Sequence, residues 1–237
     1  MKKTRKIVLS TVATLTLLGI GGFGLLRWSL HQVQPYYREA LATDTQTLRT
    51  ASLRLESRVS ALASTAQQTA PWEALFTDTD VNGWLAVALE EKFPGWLPET
   101  ISDLRVAFTD PWLLVGFHYQ DAHYDTVVTL RMVPYVVEAD GLAIRLESAH
   151  AGALPIPLEK IVQVCRQSAR AHHLPLRWVR QANRPIALLP IDQFLSTDKQ
   201  RCHLETVELS AGQLLITGDS EKLNHELTAS GTRNDEI

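Results

Sequence analysis

The residues of this chain that could do chemistry are densest around one predicted turn, where His118, Asp121, His123 and Asp125 lie close together. Imidazole and carboxylate groups are ligands for zinc and other divalent cations. Their spacing matches no standard metal motif, and a turn with solvated polar side chains has the same composition. We therefore expect neither a metal site nor a cofactor, with a divalent cation at this turn as the alternative.

Motifs for catalysis are also weak. The sequence contains no Gly-x-Ser-x-Gly nucleophile elbow and no glycine-rich phosphate loop. Glu90 and Glu91 are adjacent, so on a helix they diverge by about 100° and cannot form a facing carboxylate pair. We predict no catalytic residues and no enzyme. A hydrolase stays an alternative, because a Ser-His-Asp triad is defined by geometry and not by sequence order.

The strongest physical signal is the uncharged apolar segment 7–26, IVLSTVATLTLLGIGGFGLL. A helix of this length spans about 30 Å, the thickness of a bilayer's hydrocarbon core. The basic residues before it are Lys2, Lys3, Arg5 and Lys6. This positive flank places the N-terminus in the cytoplasm. Because bulky residues follow Leu26 where a signal-peptide cleavage site needs small ones, we predict an uncleaved signal-anchor in the inner or cytoplasmic membrane, with the rest of the chain extracytoplasmic.

The exported part is acidic. Residues 28–237 hold 18 Lys and Arg against 26 Asp and Glu, a net charge of −8. This balance disfavours nucleic acid and electrostatic attraction to anionic lipid. The expected partners are therefore the membrane itself, an envelope protein, or a lipid held by apolar contacts.

Two cysteines, Cys165 and Cys202, both lie in the exported part. That compartment permits disulfides, and an even count is consistent with a bridge. Buried cysteine also behaves as a small apolar residue, so a pair of buried thiols is the alternative.

Three helices are predicted among the elements that position the candidate residues. Residues 36–68 contain no Gly or Pro and predict one long helix. Thr77 and Asp80 form a capping box, which predicts a helix that ends at Pro94-Gly95. Apolar residues from Leu158 to Ala169 recur at helical spacing and predict a third helix.

From residue 102 to 150 the apolar period changes to two, which predicts an antiparallel meander of four or five strands with one buried face. Asp140-Gly141 marks a hairpin inside it. A strand is predicted near 186–189, and a second hairpin across 210–212. The predicted fold class is α+β: a transmembrane helix, a long juxtamembrane helix, and an antiparallel sheet that packs on helices and curves around a groove.

The predicted organisation has five parts. They are a cytoplasmic N-terminus (1–6), a transmembrane helix (7–26), a juxtamembrane helix (27–72), an extracytoplasmic α+β domain (73–219) and a flexible polar tail (220–237).

Four short motifs carry a family resemblance. They are Phe76-Thr77-x-x-x-Val81-Asn82-x-Trp84-Leu85, then Gly152-x-Leu154-x-Ile156-Pro157-Leu158, then Leu174-Pro175-x-x-Trp178-Val179, and His203-Leu204-x-x-Val207-x-Leu209. In this order and spacing, over roughly 74–218, the chain resembles the YpmS-like family of single-pass bacterial proteins. The resemblance implies exposure outside the cytoplasmic membrane and no assigned activity, and it supplies no catalytic residues.

Two non-enzymatic functions follow from these features. The first is a membrane-tethered scaffold or interaction module of the bacterial envelope, with the long helix as its contact surface. The second is a binder of a lipid or another apolar ligand between sheet and helix. Its candidate lining positions are Leu104, Val106, Phe108, Val128, Leu130, Leu142 and Ile144.

Overall fold

The computed structural model describes residues 33–68, 70–137, 141–190, 196 and 200–222. The predicted cytoplasmic N-terminus, the predicted span at 7–26 and most of the predicted tail lie outside these residues. Among the described residues, no helix is long and apolar enough to cross a membrane. The predicted domain boundaries stay predictions.

The predicted α+β class is wrong. Strands make up 46% of the residues that the structure describes, beside four described helices, so the described fold is mostly antiparallel β. The described strands form two sheets, one of three strands and one of seven. The sequence analysis predicted the meander, the strand near 186–189 and the hairpin across 210–212, and it missed the strands at 72–77, 154–155 and 177–181.

The strands run in chain order as β1 (Trp72–Thr77), β2 (Ile101–Thr109), β3 (Trp112–Gln120), β4 (Asp125–Val137), β5 (Gly141–Ala151), β6 (Leu154–Pro155), β7 (Arg177–Gln181), β8 (Arg184–Leu189), β9 (Gln200–Ser210) and β10 (Gln213–Lys222). The predicted meander corresponds to β2 through β5, which pair antiparallel in sequence order. The predicted hairpin across 210–212 joins β9 to β10. The three-stranded sheet has the order β1-β10-β9, and the seven-stranded sheet follows the path β2-β3-β4-β5-β8-β7, with β6 paired to β5.

The four helices are α1 (Pro35–Leu41), α2 (Thr45–Ala66), α3 (Asp78–Lys92) and α4 (Leu158–Ala171). The predicted helix over 36–68 is therefore two helices. Asp44 separates them, because its carboxylate caps α2 by accepting the Thr47 N–H at 3.0 Å. The predicted cap of α3 is confirmed, since the Thr77 hydroxyl accepts the Asp80 N–H at 3.1 Å.

The strand register separates the two faces of the seven-stranded sheet. Val128, Leu130 and Ala149 form a buried cluster together with Ile161 of α4, so we call this side the α4 face. Thr129 and Arg131 alternate with them and point to the other side, and Gly116 pairs with Thr129 in register. We call this second side the groove face.

The three-stranded sheet packs with α2 around a separate core. Trp72 and Phe76 of β1 and Leu204 of β9 are buried against Leu62 and Ala66. Apolar side chains of β4 and β5, including Leu142, pack on the same cluster and join the two sheets. This arrangement leaves the groove face free to be covered by α1.

Candidate functional site

The first helix docks on the groove face through one tyrosine. Tyr37 is 1% exposed, and its hydroxyl donates to the Asp103 carbonyl at 2.9 Å. Its ring lies against Gly116, where an added Cβ would be 2.5 Å from Tyr37 Cδ2. A glycine in mid-strand therefore allows α1 to approach the sheet closely. This contact fixes the position of the neighbouring Tyr36.

Between α1 and the sheet lies an open groove of about 440 Å³. Its polar walls include Gln34, Tyr36, Thr129, Arg131, Ser148 and His150. Within the described part of the chain, none of the residues that line it is acidic. Residues 28–237 have a net charge of −8, so the absence of carboxylates among these lining residues sets the groove apart electrostatically.

Arg131 is held in place by an aromatic ring. Its guanidinium carbon lies 5.1 Å from the centre of the Trp112 ring. Such a cation–π contact is worth about 0.5–1 kcal/mol at exposed sites and orients the guanidinium plane. The free edge of a stacked guanidinium can then bind a carboxylate or phosphate through two parallel hydrogen bonds.

Tyr36 supplies a hydroxyl without an acceptor. Its side-chain oxygen is buried and has no hydrogen-bond partner among the described residues. Burial, and to a smaller degree the neighbouring Tyr37, raises the pKa of Tyr36 well above its usual value. The hydroxyl therefore stays protonated at neutral pH and is available as a donor. Leaving such a group unpaired costs about 1–3 kcal/mol, which a ligand oxygen would recover.

Of the seven predicted lining positions, Leu130 is the one that lines this groove. Val106, Phe108, Val128 and Leu130 are buried side chains, 4–9% exposed. Leu142 packs in the core around Trp72, and Leu104 and Ile144 are half-buried. Val128 belongs to the α4 face, opposite the groove, whereas Leu130 is part of the same buried cluster and also lines the groove. Their alternation fits the packing of a core, and their role in ligand binding stays a prediction.

The cluster at the β3–β4 turn is a hydrogen-bonded polar turn. His118 Nε2 and Asp125 Oδ1 are 2.7 Å apart. Asp121 accepts the backbone N–H groups of His123 and Tyr124, and these bonds lower the pKa of its carboxyl. Over the described ranges, no three or more His, Cys, Asp or Glu side chains are grouped as metal ligands would be.

Both cysteines are thiols in the structure. Cys202 lies in the core of the three-stranded sheet, where its Sγ donates to the Ala66 carbonyl at 3.3 Å. Cys165 lies half-buried on α4, and burial raises the pKa of its thiol. The arrangement therefore corresponds to the alternative of two thiols, on two different elements.

Sequence reasoning missed the groove because its residues look like an ordinary solvent face. Thr129, Arg131, Ser148 and His150 occupy the polar positions of two alternating strands. The one available signal was Gly116, a small residue in the middle of an otherwise bulky strand, together with two adjacent tyrosines at the start of α1.

Comparison of the chain with models of protein families, with curated proteins and with solved structures finds no match. The resemblance to the YpmS-like family stays a prediction, and the groove has to be interpreted from its own chemistry.

Proposed function

We propose that this chain is a membrane-tethered, extracytoplasmic binding module of the bacterial envelope, and that its groove holds the anionic headgroup of a lipid. One observation carries the proposal: in an acidic protein, the described residues that line the groove present a stacked guanidinium and a buried tyrosine hydroxyl with no partner among them, and they include no carboxylate. A phosphate group is the ligand that best uses an oriented guanidinium and several hydroxyl donors together.

The position of the groove along the chain supports a lipid as the source of the phosphate. Gln34 lines the groove and follows the predicted span, which ends at Leu26, by eight residues. A fully extended chain covers at most about 3.6 Å per residue, so the groove lies within roughly 29 Å of the end of the span. A headgroup at the membrane surface is within that reach.

A lipid bound through its anionic headgroup differs from the apolar lipid contact that the net charge predicted. An overall charge of −8 predicted that any lipid contact would be apolar. The net charge of residues 28–237 does not describe the charge inside the groove. Among the described residues that line it, Arg131 is the one with a formal charge. At an ionic strength of 0.15 M, charges more than about 8 Å away are largely screened, so local groups determine the affinity.

The test uses the full chain in nanodiscs of phosphatidylcholine with or without phosphatidylglycerol, followed by native mass spectrometry after release of the bulk lipid. We expect one phosphatidylglycerol to be retained by the wild type. We expect Arg131→Ala to weaken retention about tenfold, which corresponds to about 1.4 kcal/mol, and Tyr36→Phe to weaken it less.

The matched control is Arg49→Ala, which removes an exposed arginine of α2 that does not line the groove. It should retain lipid as the wild type does. Equal retention of both lipids, or no loss in Arg131→Ala, would contradict the proposal. If inorganic phosphate displaces the lipid at equal concentration, the groove is a site for a free anion.

A further inference from the structure

The two edge strands of the seven-stranded sheet differ in whether other elements cover their backbone groups. The outer edge of β2 is covered, because the Asn82 carboxamide pairs with both backbone groups of Val106. Further along, the Phe108 carbonyl accepts the Gly212 N–H at 2.9 Å. Such covering is what proteins use to prevent an edge strand from pairing with another chain.

The opposite edge strand, β7, is open within the described residues. No described strand follows it in the sheet. Its hairpin with β8 turns through Ala182 and Asn183, both with positive φ (47° and 63°), and Gln181 pairs with Arg184. In a two-residue hairpin the closing pair exchanges both hydrogen bonds, so alternate pairs along the ladder do not.

This register identifies the open backbone groups. Counting from the closing pair, Arg180 opposite Pro185 and Trp178 opposite Ala187 are the pairs without ladder hydrogen bonds. Pro185 fits this position because it has no N–H to donate. The backbone N–H and C=O groups of Trp178 and Arg180 therefore point outward, toward a missing neighbour strand.

A cleft of about 400 Å³ runs between this edge and α4. Val162, Pro185 and the Trp178 indole line it. The Trp178 Nε1–H is buried and has no hydrogen-bond acceptor in the part of the chain that the structure describes. The cleft thus offers an apolar floor and a buried donor beside the open strand edge.

The surface around the cleft carries positive charge. Residues 158–184 hold six Lys and Arg against the single carboxylate of Glu159. The six basic residues, all exposed, are Lys160, Arg166, Arg170, Arg177, Arg180 and Arg184. Glu159 pairs with Arg180 at 3.0 Å, and Glu147 of β5 lies 3.7 Å from Arg184, so these two carboxylates face a group of six basic residues. An acidic partner is the complement of this surface.

We propose that β7 and the adjoining cleft bind an acidic segment of an envelope protein in extended conformation, which adds as a strand to the sheet. Main-chain hydrogen bonds to Trp178 and Arg180 would give the strand its register, and its carboxylates would face the arginines. An anionic membrane fits less well, because headgroups do not supply donors and acceptors at the two-residue spacing of a strand. The buried cluster beneath α4 also lies on the side of the sheet opposite the groove, so the cleft and the groove do not face the same membrane surface.

The test uses the full chain in phosphatidylcholine nanodiscs and a fluorescent peptide of alternating valine and glutamate, with binding followed by anisotropy. A peptide of alternating valine and lysine is the charge control. We expect the glutamate peptide to bind more weakly as salt is raised, and the lysine peptide to bind at least about tenfold more weakly at low salt.

A pair of variants separates charge from strand pairing. Arg180→Ala removes one charge, whereas Arg180→Pro also removes the outward N–H without breaking the ladder with β8. We expect a loss of about threefold in Arg180→Ala and at least about tenfold in Arg180→Pro, with unchanged circular dichroism. Arg166→Glu leaves five basic residues against two carboxylates, so it should reduce the difference in affinity between the two peptides.

Three results would overturn the proposal: equal binding of both peptides, equal affinity of the two Arg180 variants, or a glutamate peptide that fails to bind. Binding of the chain to phosphatidylglycerol vesicles that is lost in Arg166→Glu would instead make this surface a membrane contact. None of these readouts depends on lipid retention in the groove, so the two proposals fail independently.

Discussion

The side chain of Asn82 pairs with the backbone of Val106 as a neighbouring strand would. Its Nδ2 donates to the Val106 carbonyl at 2.8 Å, and its Oδ1 accepts the Val106 N–H at 2.7 Å. Both groups belong to the outer edge of β2, and both residues are buried. One carboxamide thus attaches α3 to the sheet and covers its edge.

Removal of this carboxamide should destabilise the fold. Asn82→Ala leaves a buried N–H and a buried C=O of Val106 without partners, at about 1–3 kcal/mol each before relaxation. We expect a loss of roughly 2–4 kcal/mol in unfolding free energy, measured by urea denaturation of the full chain in micelles. Thr79→Ala, an exposed change in the same helix, should cost less than about 0.5 kcal/mol; a similar loss in both variants would contradict the assignment.

A methyl group at Gly116 should displace α1. In Gly116→Ala the new Cβ would be 2.5 Å from Tyr37 Cδ2, so we expect a loss of about 1–3 kcal/mol together with weaker lipid retention in the groove. In a Tyr37→Ala background the nearest remaining neighbour of the methyl group is the Tyr36 hydroxyl oxygen at 3.1 Å, so the same substitution should cost less than in the wild type. The double-mutant cycle measures this coupling, and additive losses would show that the two residues do not meet.

Stability should fall at high pH because Tyr37 is buried. Burial, and next the nearby Asp103, raises the pKa of Tyr37 from 10.0 to about 12. Below pH 10 the hydroxyl is protonated in both the folded and unfolded chain, and its contribution is complete. Between pH 10 and about 12 the unfolded chain loses the proton first, so ionisation favours unfolding. Urea midpoints over this range should decline less steeply in Tyr37→Phe; parallel declines would contradict the prediction.

The two cysteines should react at different rates and without prior reduction. Cys202 is 1% exposed and should react with iodoacetamide only after denaturation. Cys165 is half-buried with a raised pKa, so it should react slowly and faster as the pH rises. Mass spectrometry of the wild type and of Cys165→Ser reports both rates. An intact mass that increases by two protons on reduction would show a disulfide instead.

The parts of the fold that the sequence predicted have local signals. The meander was recognisable because apolar residues alternate along consecutive strands, and Asp140-Gly141 marks the hairpin closed by the Val137–Gly141 pair. The cap at Thr77 and the amphipathic pattern of α4 can likewise be predicted from residues that are close together in the sequence. In each case the partner lies a few residues away.

The parts that it missed depend on distant residues. β1 pairs with β10 at the other end of the described chain, and Trp72, the last residue of the predicted juxtamembrane segment 27–72, is a buried strand residue. β7 is short and mostly exposed, so it has little apolar pattern. The groove depends on tertiary placement as well, because only the docking of Tyr37 on Gly116 brings Tyr36 beside strands β4 and β5.

The place of α1 in the groove wall has a consequence for proteolytic shedding. Gln34 and Tyr36 line the groove and also belong to the stretch of chain that leads out of the predicted anchor. A protease that cut after Tyr36 would release residues 37–237 from the predicted anchor. The same cut would remove Gln34 and Tyr36 from the wall of the groove. The released fragment would keep the strand edge at β7. Under the two proposals, it could therefore still bind the acidic partner after it had lost the lipid.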